Sequence, residues 1–297
     1  MEKMLKDKKI IALFILPAFL LFITFIPIPL VSSLVLSTYK WNMLQRPRFI
    51  GALNFIRLFT QDNVYLASIG HTFHYLFLSI ILQIPMAYFL AILLTRNSWG
   101  DKFFRNMIFM PVTFSGTIVS LMFYLIYHGR TGIINSFIRL FGNPEFDFAW
   151  LAEKSTAMTA VCFAVAWQYV GYHLVIFITG ITGISNDTID AAKIDGASTA
   201  QIAWHITTPL MKPVLNVSLV LITTSSLKGF DSIYVMTGGG PMHATEVMAS
   251  HMYFKSFTAM DYGYGCAIGL LLFVACILFT GAWSFVFRSK NAEGAGE

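Results

Sequence analysis

The chain has 297 residues, of which 56% are hydrophobic and only 12% are charged, with a formal net charge of +5 at pH 7. Because an ordinary soluble domain carries about 25% charged residues, this composition excludes a typical soluble protein. The small basic excess forms no stripe on a polar segment, which argues against nucleic-acid binding.

The N-terminal segment is basic for nine residues and then apolar to about residue 36. This charge pattern is similar to that of a secretory signal peptide. However, the apolar run is far longer than the roughly 7–15 residues of a signal peptide, and no small-residue cleavage site follows. We therefore predict a retained first span over residues 10–38, which Pro17, Pro27 and Pro29 should tilt or kink.

Five further apolar runs predict five more membrane spans, so the fold class is all-α with six transmembrane helices. The runs cover about residues 67–94, 107–127, 156–183, 214–227 with its flanks, and 264–287. Six spans place both termini on one side of the membrane. Of the 20 lysines and arginines, eleven lie on that side, many directly beside spans, and nine lie on the other. The positive-inside rule then predicts cytoplasmic termini.

The loops on the other side are longer and carry no clear catalytic or metal-binding motif. Residues 39–66 mix aromatic residues with arginines, which predicts an interfacial segment with Trp41 and Phe49 at headgroup level. The Gly238–Gly240 run precedes a proline rather than Gly-Lys-Ser/Thr, so it predicts a turn and not a phosphate-binding loop. The three cysteines are isolated, and the His71–His74 pair has no third ligand nearby, so no metal site is expected.

The span interiors contain no Asp, Glu, Lys or Arg. A proton-coupled pump usually needs an ionisable group inside the membrane, so this class is disfavoured. Sodium coupling through backbone oxygens stays open.

Neutral polar side chains mark one face of the third, fourth and fifth spans. In the third span the pattern i, i+4, i+7, i+11 joins Thr113, Thr117, Ser120 and Tyr124. Helix packing explains the serines and threonines as readily as a solute path does. Amides, hydroxyls and aromatic faces nevertheless suit an uncharged polyhydroxylated solute. The candidate solute-path residues are Tyr124, Trp167, Gln168, Tyr169, Tyr172, Asn216, Ser225 and Ser226.

The insert between the fourth and fifth spans, about residues 186–210, has the pattern of two short helices around a turn. Asp187 is predicted to N-cap a helix over residues 188–195, and Gly196 fits the left-handed position after it. Ser198 and Gln201 match a capping box that opens a second helix, which ends near Pro209. The alanines keep the turn slim, so a partner protein can approach its backbone. A simple folded loop is the alternative.

Two segments of the chain resemble motifs of one family. Residues 190–213, DAAKIDGASTAQIAWHITTPLMKP, resemble the EAA motif of bacterial ABC-importer permeases. Asp190 stands where this family usually has Glu, and Ala203 where a bulkier residue is common. Residues 230–246, FDSIYVMTGGGPMHATE, resemble a segment of the carbohydrate-type, maltose-like permeases. The resemblance implies the MetI-like ABC permease fold: a single permease domain over residues 1–297, with a core of about 67–287 and an extra first span.

The resemblance also implies the partners and the role of the insert. The insert would be a coupling helix that docks on a separate cytoplasmic ATPase dimer, and ATP and Mg would bind there, leaving this chain without enzymatic activity or a cofactor. The other partners would be a second homologous permease, an extracellular or periplasmic solute-binding protein, a sugar substrate and the lipids of a bacterial plasma membrane. The implied docking residues are Asp190, Ala191, Ala192, Asp195, Gly196 and Ala197.

Three alternatives compete with sugar import. The same machine could carry another polar solute such as a glycerol phosphate, which calls for a cationic group on the path; this chain's span interiors have none, although a partner permease could supply it. A secondary transporter or channel is disfavoured by the EAA resemblance and by the missing intramembrane charges. A membrane-embedded enzyme would need a catalytic cluster that the spans lack.

Overall fold

A computed structural model describes residues 8–95 and 100–287, and within them the chain is almost entirely helical. The helices are α1 (Lys8–Phe25), α2 (Pro27–Leu36), α3 (Leu53–Thr60), α4 (Asn63–Leu94), α5 (Asp101–Phe109), α6 (Gly116–Ile126), α7 (Ile133–Leu140), α8 (Ala157–Thr182), α9 (Asn186–Ile194), α10 (Thr199–Ile202), α11 (Thr208–Leu210), α12 (Lys212–Leu227), α13 (Asp231–Met236), α14 (Met248–Tyr253) and α15 (Tyr262–Val286). A 3₁₀ turn, Met110–Thr113, follows α5, and π-helical segments, Ala203–Thr207 and Phe254–Thr258, follow α10 and α14. The all-α class is confirmed.

One short hairpin departs from the all-helical expectation. Strands β1 (Tyr39–Lys40) and β2 (Arg48–Phe49) pair antiparallel, with Tyr39 opposite Phe49. The hairpin lies in the loop for which an interfacial segment is predicted, and Phe49 is well exposed there.

Four helices are long and apolar enough to cross a membrane: Leu13–Leu36, α4, α8 and α15. Two bent pairs of helices pass the same test together. Asp101–Thr113 meets Gly116–Ile126 at 97°, and Thr199–Leu210 meets Lys212–Leu227 at 67°. With each pair counted as one span, the described residues give the six predicted spans. Several basic residues behind the orientation prediction, including Lys3, Arg96 and Lys290, lie outside the described residues.

The prediction of one continuous third helix over residues 107–127 is wrong. Pro111 lies in the 3₁₀ turn that ends the first half, and Phe114 then adopts an extended backbone with φ −82° and ψ 150°. A proline lacks the N–H that would continue the helical ladder, so the chain leaves the helix here. Thr113 therefore precedes the break and does not share a helix face with Thr117, Ser120 and Tyr124, as the pattern predicted.

The chain divides into two compact units. Of the described residues, the first comprises 8–63 and 251–273, and the second comprises 64–95, 100–250 and 274–287. In the first unit, the start of α15 packs directly on the hairpin: the Tyr262 N–H donates to the Trp41 carbonyl over 3.0 Å. A Cβ at Gly263 would overlap the Tyr39 carbonyl, so only glycine permits this approach.

A polar cluster around the Asp62 carboxylate stabilises the same unit. The Tyr264 hydroxyl donates to Asp62 Oδ2 over 2.8 Å, His251 Nε2 lies 3.0 Å from that oxygen, and Lys255 Nζ lies 3.2 Å from it. The Asp62 side chain is only 11% exposed. Removing a carboxylate from water is costly unless it is paired, and these three groups supply the pairing.

The core of the second unit is built around α8. Two-thirds of its most apolar stretch is buried (67%), whereas none of that of Leu13–Leu36 is buried. The backbone of α5 rests on α8, because a Cβ at Gly171 would overlap the Ile108 carbonyl. At the 67° bend, the Met211 side chain lies against Gly180 of α8. The buried cluster comprises Ala87, Ala91, Val170, Leu174, Phe177, Ile178 and Met211.

Candidate functional site

A cavity of about 340 Å³ opens within the second unit, among α4, α6, α8, α12 and the start of α13. Its volume is within the range of small-molecule sites, which run from about 300 to 1,000 Å³. Its walls are formed by Tyr75, Gln83, Val112, Gly116, Val165, Tyr169, Tyr172, His173, Leu221, Ser225, Ser226, Lys228, Gly229, Phe230, Asp231 and Ser232.

Four of the eight predicted solute-path residues meet in this cavity. Tyr169 and Tyr172 are one helical turn apart on α8 and each is 38% exposed. Ser225 and Ser226 face them from α12 as part of the opposite lining, and the Ser225 hydroxyl donates to the Ile222 carbonyl over 3.0 Å. A serine that donates within its own helix still has lone pairs to accept a bond from a solute hydroxyl.

The other four predicted residues lie elsewhere. Gln168 is buried, and its Nε2 donates to the Phe114 carbonyl over 3.1 Å. Trp167 lines a second cavity and Tyr124 a third. Asn216 lies on α12 away from the cavity lining, and its buried Oδ1 has no partner among the described residues.

Two buried polar residues of the cavity wall were missed by the sequence prediction. Gln83 and His173 are each 3% exposed and line the cavity. His173 Nδ1 has no hydrogen-bond partner within residues 8–95 and 100–287. An unpaired buried nitrogen normally binds an ordered water, so His173 is a polar point just beneath the cavity surface. The signal in the sequence was its position directly after Tyr172 in an apolar span.

The charges at the cavity cancel. Lys228 follows α12 and Asp231 begins α13, so both line the cavity from the ends of helices rather than from span interiors. One positive and one negative group leave the wall formally neutral. The arrangement suits a solute with hydroxyl groups and an apolar ring face better than a simple ion.

Residues 230–246 fold as α13 and a tight turn, as the glycine run predicts. Gly238 and Gly239 have φ of +59° and +87°, which favour glycine. The Thr245 hydroxyl closes the turn by donating to the Gly240 carbonyl over 2.6 Å. Helix α13 packs against α6, and this packing positions the Phe230–Ser232 part of the cavity wall.

The insert between α8 and α12 is a capped helix–turn–helix. Helix α9 is capped by Ser185, whose side chain accepts from the Asp187 N–H over 3.2 Å, so the prediction of Asp187 as N-cap is wrong by two residues. Ser185, Asn186 and Asp187 are all residue types that can cap a helix. Ser185 is the N-cap because its backbone is still non-helical, with φ −57° and ψ 132°. The Ser198–Gln201 capping box is present as predicted.

The turn of the insert depends on Gly196, which has φ of +81°. The Gly196 N–H donates to the Lys193 carbonyl and the Ala197 N–H to the Ala192 carbonyl, each over 3.0 Å. These two bonds form a Schellman motif, which closes a helix through a left-handed residue. The predicted left-handed position is confirmed.

The six predicted docking residues do not all lie on the surface of the insert. Asp190, Ala191, Asp195 and Gly196 are exposed, whereas Ala192 is buried and Ala197 is half-buried. The surface also presents two large apolar side chains, Ile194 at 86% and Trp204 at 71% exposure. Ile194 was not among the predicted docking residues, because a single apolar residue at a helix end gives no pattern.

The structure holds no group of three metal-ligating side chains within residues 8–95 and 100–287.

Comparisons with known proteins agree on the family. The profile described as "Binding-protein-dependent transport system inner membrane component" matches residues 83–289. The chain is 35% identical over 295 residues to "Probable ABC transporter permease protein YurN" of Bacillus subtilis, covering 98% of this chain and 100% of that one. It is 30% identical over 287 residues to "Trehalose/maltose transport system permease protein MalF" of Thermococcus litoralis, covering 96% of each.

The fold matches a solved transporter. A chain of the bacterial alginate ABC transporter, in complex with an alginate pentasaccharide-bound periplasmic protein, superposes with a TM-score of 0.84 at 20% identity, covering 100% of this chain and 99% of that one. The chain thus belongs to the family of binding-protein-dependent transport system inner membrane components, the membrane permeases of ABC transporters.

Proposed function

We propose that this permease forms the path for a neutral sugar or oligosaccharide in an ABC importer. The cavity carries the proposal, because two tyrosine rings, two serine hydroxyls and a formally balanced Lys228 and Asp231 line one space. Rings stack on sugar faces and hydroxyls pair with sugar hydroxyls.

Two relatives support a sugar as the solute. One is the trehalose/maltose permease of Thermococcus litoralis described above. The other is "Diacetylchitobiose uptake system permease protein NgcF" of Streptomyces coelicolor, 27% identical over 289 residues and covering 93% of this chain and 81% of that one. Both names specify short oligosaccharides, which fit the proposed chemistry of the cavity.

We place the energy source on a separate ATPase dimer that binds ATP and Mg, so that this chain has no cofactor and no enzymatic activity of its own. The insert supports this assignment. Its helix is capped at both ends, and it presents Asp190, Ile194 and Trp204 to a partner. A rigid, exposed helix can transmit a movement of the ATPase to the spans only if its contacts with the ATPase differ between the two states.

The remaining partners and the topology belong to the same proposal. A second homologous permease completes the path, and an extracellular or periplasmic binding protein delivers the solute. The termini and the insert lie in the cytoplasm of a bacterial cell, as the basic residues beside the spans support. The whole chain acts as one permease domain, with residues 67–287 as the core and residues 10–38 as an additional span.

One observation favours a second candidate, a phosphorylated polar solute. Lys228 lines the cavity and is the kind of cationic group that a phosphate requires. Asp231 lines the same cavity and would repel the phosphate, so the neutral sugar is the better fit.

ATP-driven uptake tests the proposal. The chain is purified with the subunits that accompany it and reconstituted in vesicles with its binding protein. Labelled maltose, trehalose, diacetylchitobiose and glycerol 3-phosphate are then offered with and without ATP. We expect ATP-dependent uptake of a neutral sugar, and Tyr172→Ala should raise the half-saturating solute concentration. Tyr124→Ala, outside the cavity, is the matched control. Uptake without ATP, or uptake of glycerol 3-phosphate alone, contradicts the proposal.

A further inference from the structure

We propose that the second unit binds one acyl chain of a bilayer phospholipid in an apolar cavity between α6, α7 and α8. The cavity has a volume of about 480 Å³. It shares no lining residue with the proposed solute cavity. Its largest side chains are Phe123, Tyr127, Ile134, Trp150, Phe163 and Trp167.

The chemistry of the wall selects an apolar ligand. The Trp150 indole N–H donates to Asn135 Oδ1 over 2.8 Å, and the Thr156 hydroxyl donates to the Trp150 carbonyl over 2.8 Å. These polar groups are bound within the protein, so they do not reach into the space for a ligand. Tyr127, Thr159 and Trp167 add a few polar atoms, but most of the wall consists of ring faces and methyl groups. A sugar needs several partners for its hydroxyl groups beside a ring face, and this wall carries no charged side chain and few free hydroxyls, so it suits a hydrocarbon better than a sugar.

The shape of the cavity follows a membrane span. On α8 and its N-cap, the lining residues recur at i, i+3, i+4, i+7 and i+11 from Thr156 to Trp167, which is one face of the helix. Eleven residues of helix cover roughly 16 Å. The cavity therefore starts where the span begins and continues along it into the depth of the hydrocarbon layer. This is the course of an acyl chain whose headgroup stays at the interface.

Helix α7 marks the level of the membrane surface at the mouth of the cavity. Arg139 fixes one side of α7 by donating to the carbonyls of Gly129, Arg130 and Phe146. The opposite side exposes a continuous apolar face, with exposures between 62% and 81% for Ile133, Phe137, Leu140 and Phe141. An amphipathic helix between the ends of two spans lies in the interface with its apolar side in lipid.

The cavity wall is continuous with exposed apolar surface of the second unit. Phe163 and Trp167 are 52% and 42% exposed on the outer side of a membrane span, and Ile134 joins the wall to α7. Tyr127 ends α6 and Trp150 lies in the loop before α8, and aromatic residues of these types are enriched at membrane interfaces. Lipid surrounds a membrane span at this depth, so a lipid chain is the occupant that the apolar wall favours.

Native mass spectrometry of the full-length chain, extracted in mild detergent, tests the site. We expect the wild-type protein to retain one phospholipid more than Thr159→Phe, whose ring fills the cavity between Thr156 and Phe163. Val175→Phe, at an exposed position of the same helix outside the cavity, should retain the wild-type number. Equal retention by all three proteins, or equal loss in both variants, overturns the proposal.

A fluorescence titration of the wild-type protein gives an independent measurement that does not depend on the filling variant. The probe is phosphatidylcholine with brominated tails, added to the detergent-solubilised chain. We expect tryptophan emission to fall until about one probe is bound per chain, and Trp167→Phe to reduce the amplitude of that decrease. A decrease that never saturates overturns the proposal. A Thr159→Phe protein that loses a second permease but no phospholipid assigns the cavity to a protein interface instead, which also overturns it.

Discussion

The Gln168 side chain donates a hydrogen bond to the backbone carbonyl of Phe114, with 3.1 Å between Nε2 and the oxygen. Phe114 lies at the break of the third span, outside both of the helices that meet there. In the membrane interior an unpaired carbonyl is costly, so this bond stabilises the break. Gln168 thus does not line the solute cavity but positions the start of α6, where Gly116 forms part of the cavity wall.

Replacing Gln168 by Leu should lower the free energy of unfolding by about 0.5–1.5 kcal/mol, because the Phe114 carbonyl loses this hydrogen bond. Tyr169→Phe is the control, since the Tyr169 hydroxyl belongs to the half-exposed cavity wall. Thermal unfolding in detergent measures both. A Gln168→Leu protein with wild-type stability and an altered solute dependence would instead return Gln168 to the solute path.

Much of the fold was predictable because hydropathy reports directly on the membrane. The spans at α4, α8 and α15 lie within a few residues of the predicted ranges. The break at Phe114 was missed because residues 107–127 carry no charge and their mean hydropathy stays high across it. Pro111 and the Ser115–Gly116 pair were the available signals, since proline and glycine mark breaks more reliably than hydropathy does.

The site was predictable only in part, because its residues come from five helices. Tyr169 and Tyr172 were found from their shared helix face, and both reach the cavity. Trp167 was chosen for the same reason, as an aromatic side chain in the fourth span, but it lies on another face of α8 and lines a different cavity. Which face of a fully apolar helix meets which neighbour is decided by tertiary packing, and the pattern of one sequence does not contain it.

Glycine 171 permits the close approach of α5 to α8. Gly171→Ala should destabilise the protein by about 1–3 kcal/mol, because the new methyl group would overlap the Ile108 carbonyl and force the backbones apart. Gly70→Ala is a matched control in α4, where an added Cβ meets no atom within 4 Å. That change should stabilise the helix by up to about 1 kcal/mol. Unfolding temperatures of the two variants must move in opposite directions for the packing argument to hold.

Gly196 determines the conformation of the insert without contacting its neighbours. A Cβ there meets nothing within 4 Å, but φ is +81°, so a β-branched residue is strained by the backbone alone. Gly196→Val should uncouple ATP hydrolysis from uptake in the reconstituted transporter, whereas Gly196→Asn should retain most coupling, because asparagine tolerates the left-handed region. If both variants transport the same amount of solute per ATP, the left-handed turn at Gly196 is not required for energy coupling and the prediction is wrong.

The Tyr264–Asp62 hydrogen bond is a charge-assisted contact of the first unit. Tyr264→Phe removes the hydroxyl that donates to the buried carboxylate and should cost about 1.5–3 kcal/mol of unfolding free energy. Tyr262→Phe, two residues earlier in the same helix, removes a hydroxyl whose contact is an exposed sulfur at 3.7 Å and should cost little. Chemical denaturation of the two variants compares them directly, and similar midpoints would contradict the assigned role of Asp62.

Met211 lies at the 67° bend between Thr199–Leu210 and α12 and anchors this bend to α8. It is 1% exposed and seated against Gly180, where a Cβ would come within 2.7 Å of its sulfur. Thr199–Leu210 of the insert lies on one side of this point, and α12 lies on the other. Ser225 is fourteen residues from Met211, or about 21 Å along the helix. A tilt of α12 by about 5° at Met211 would displace Ser225 by about 2 Å across the cavity. If the insert and α12 turn together about Met211, a small displacement of the insert moves Ser225 by about 2 Å. A shift of that size is enough to make or break a hydrogen bond to the solute.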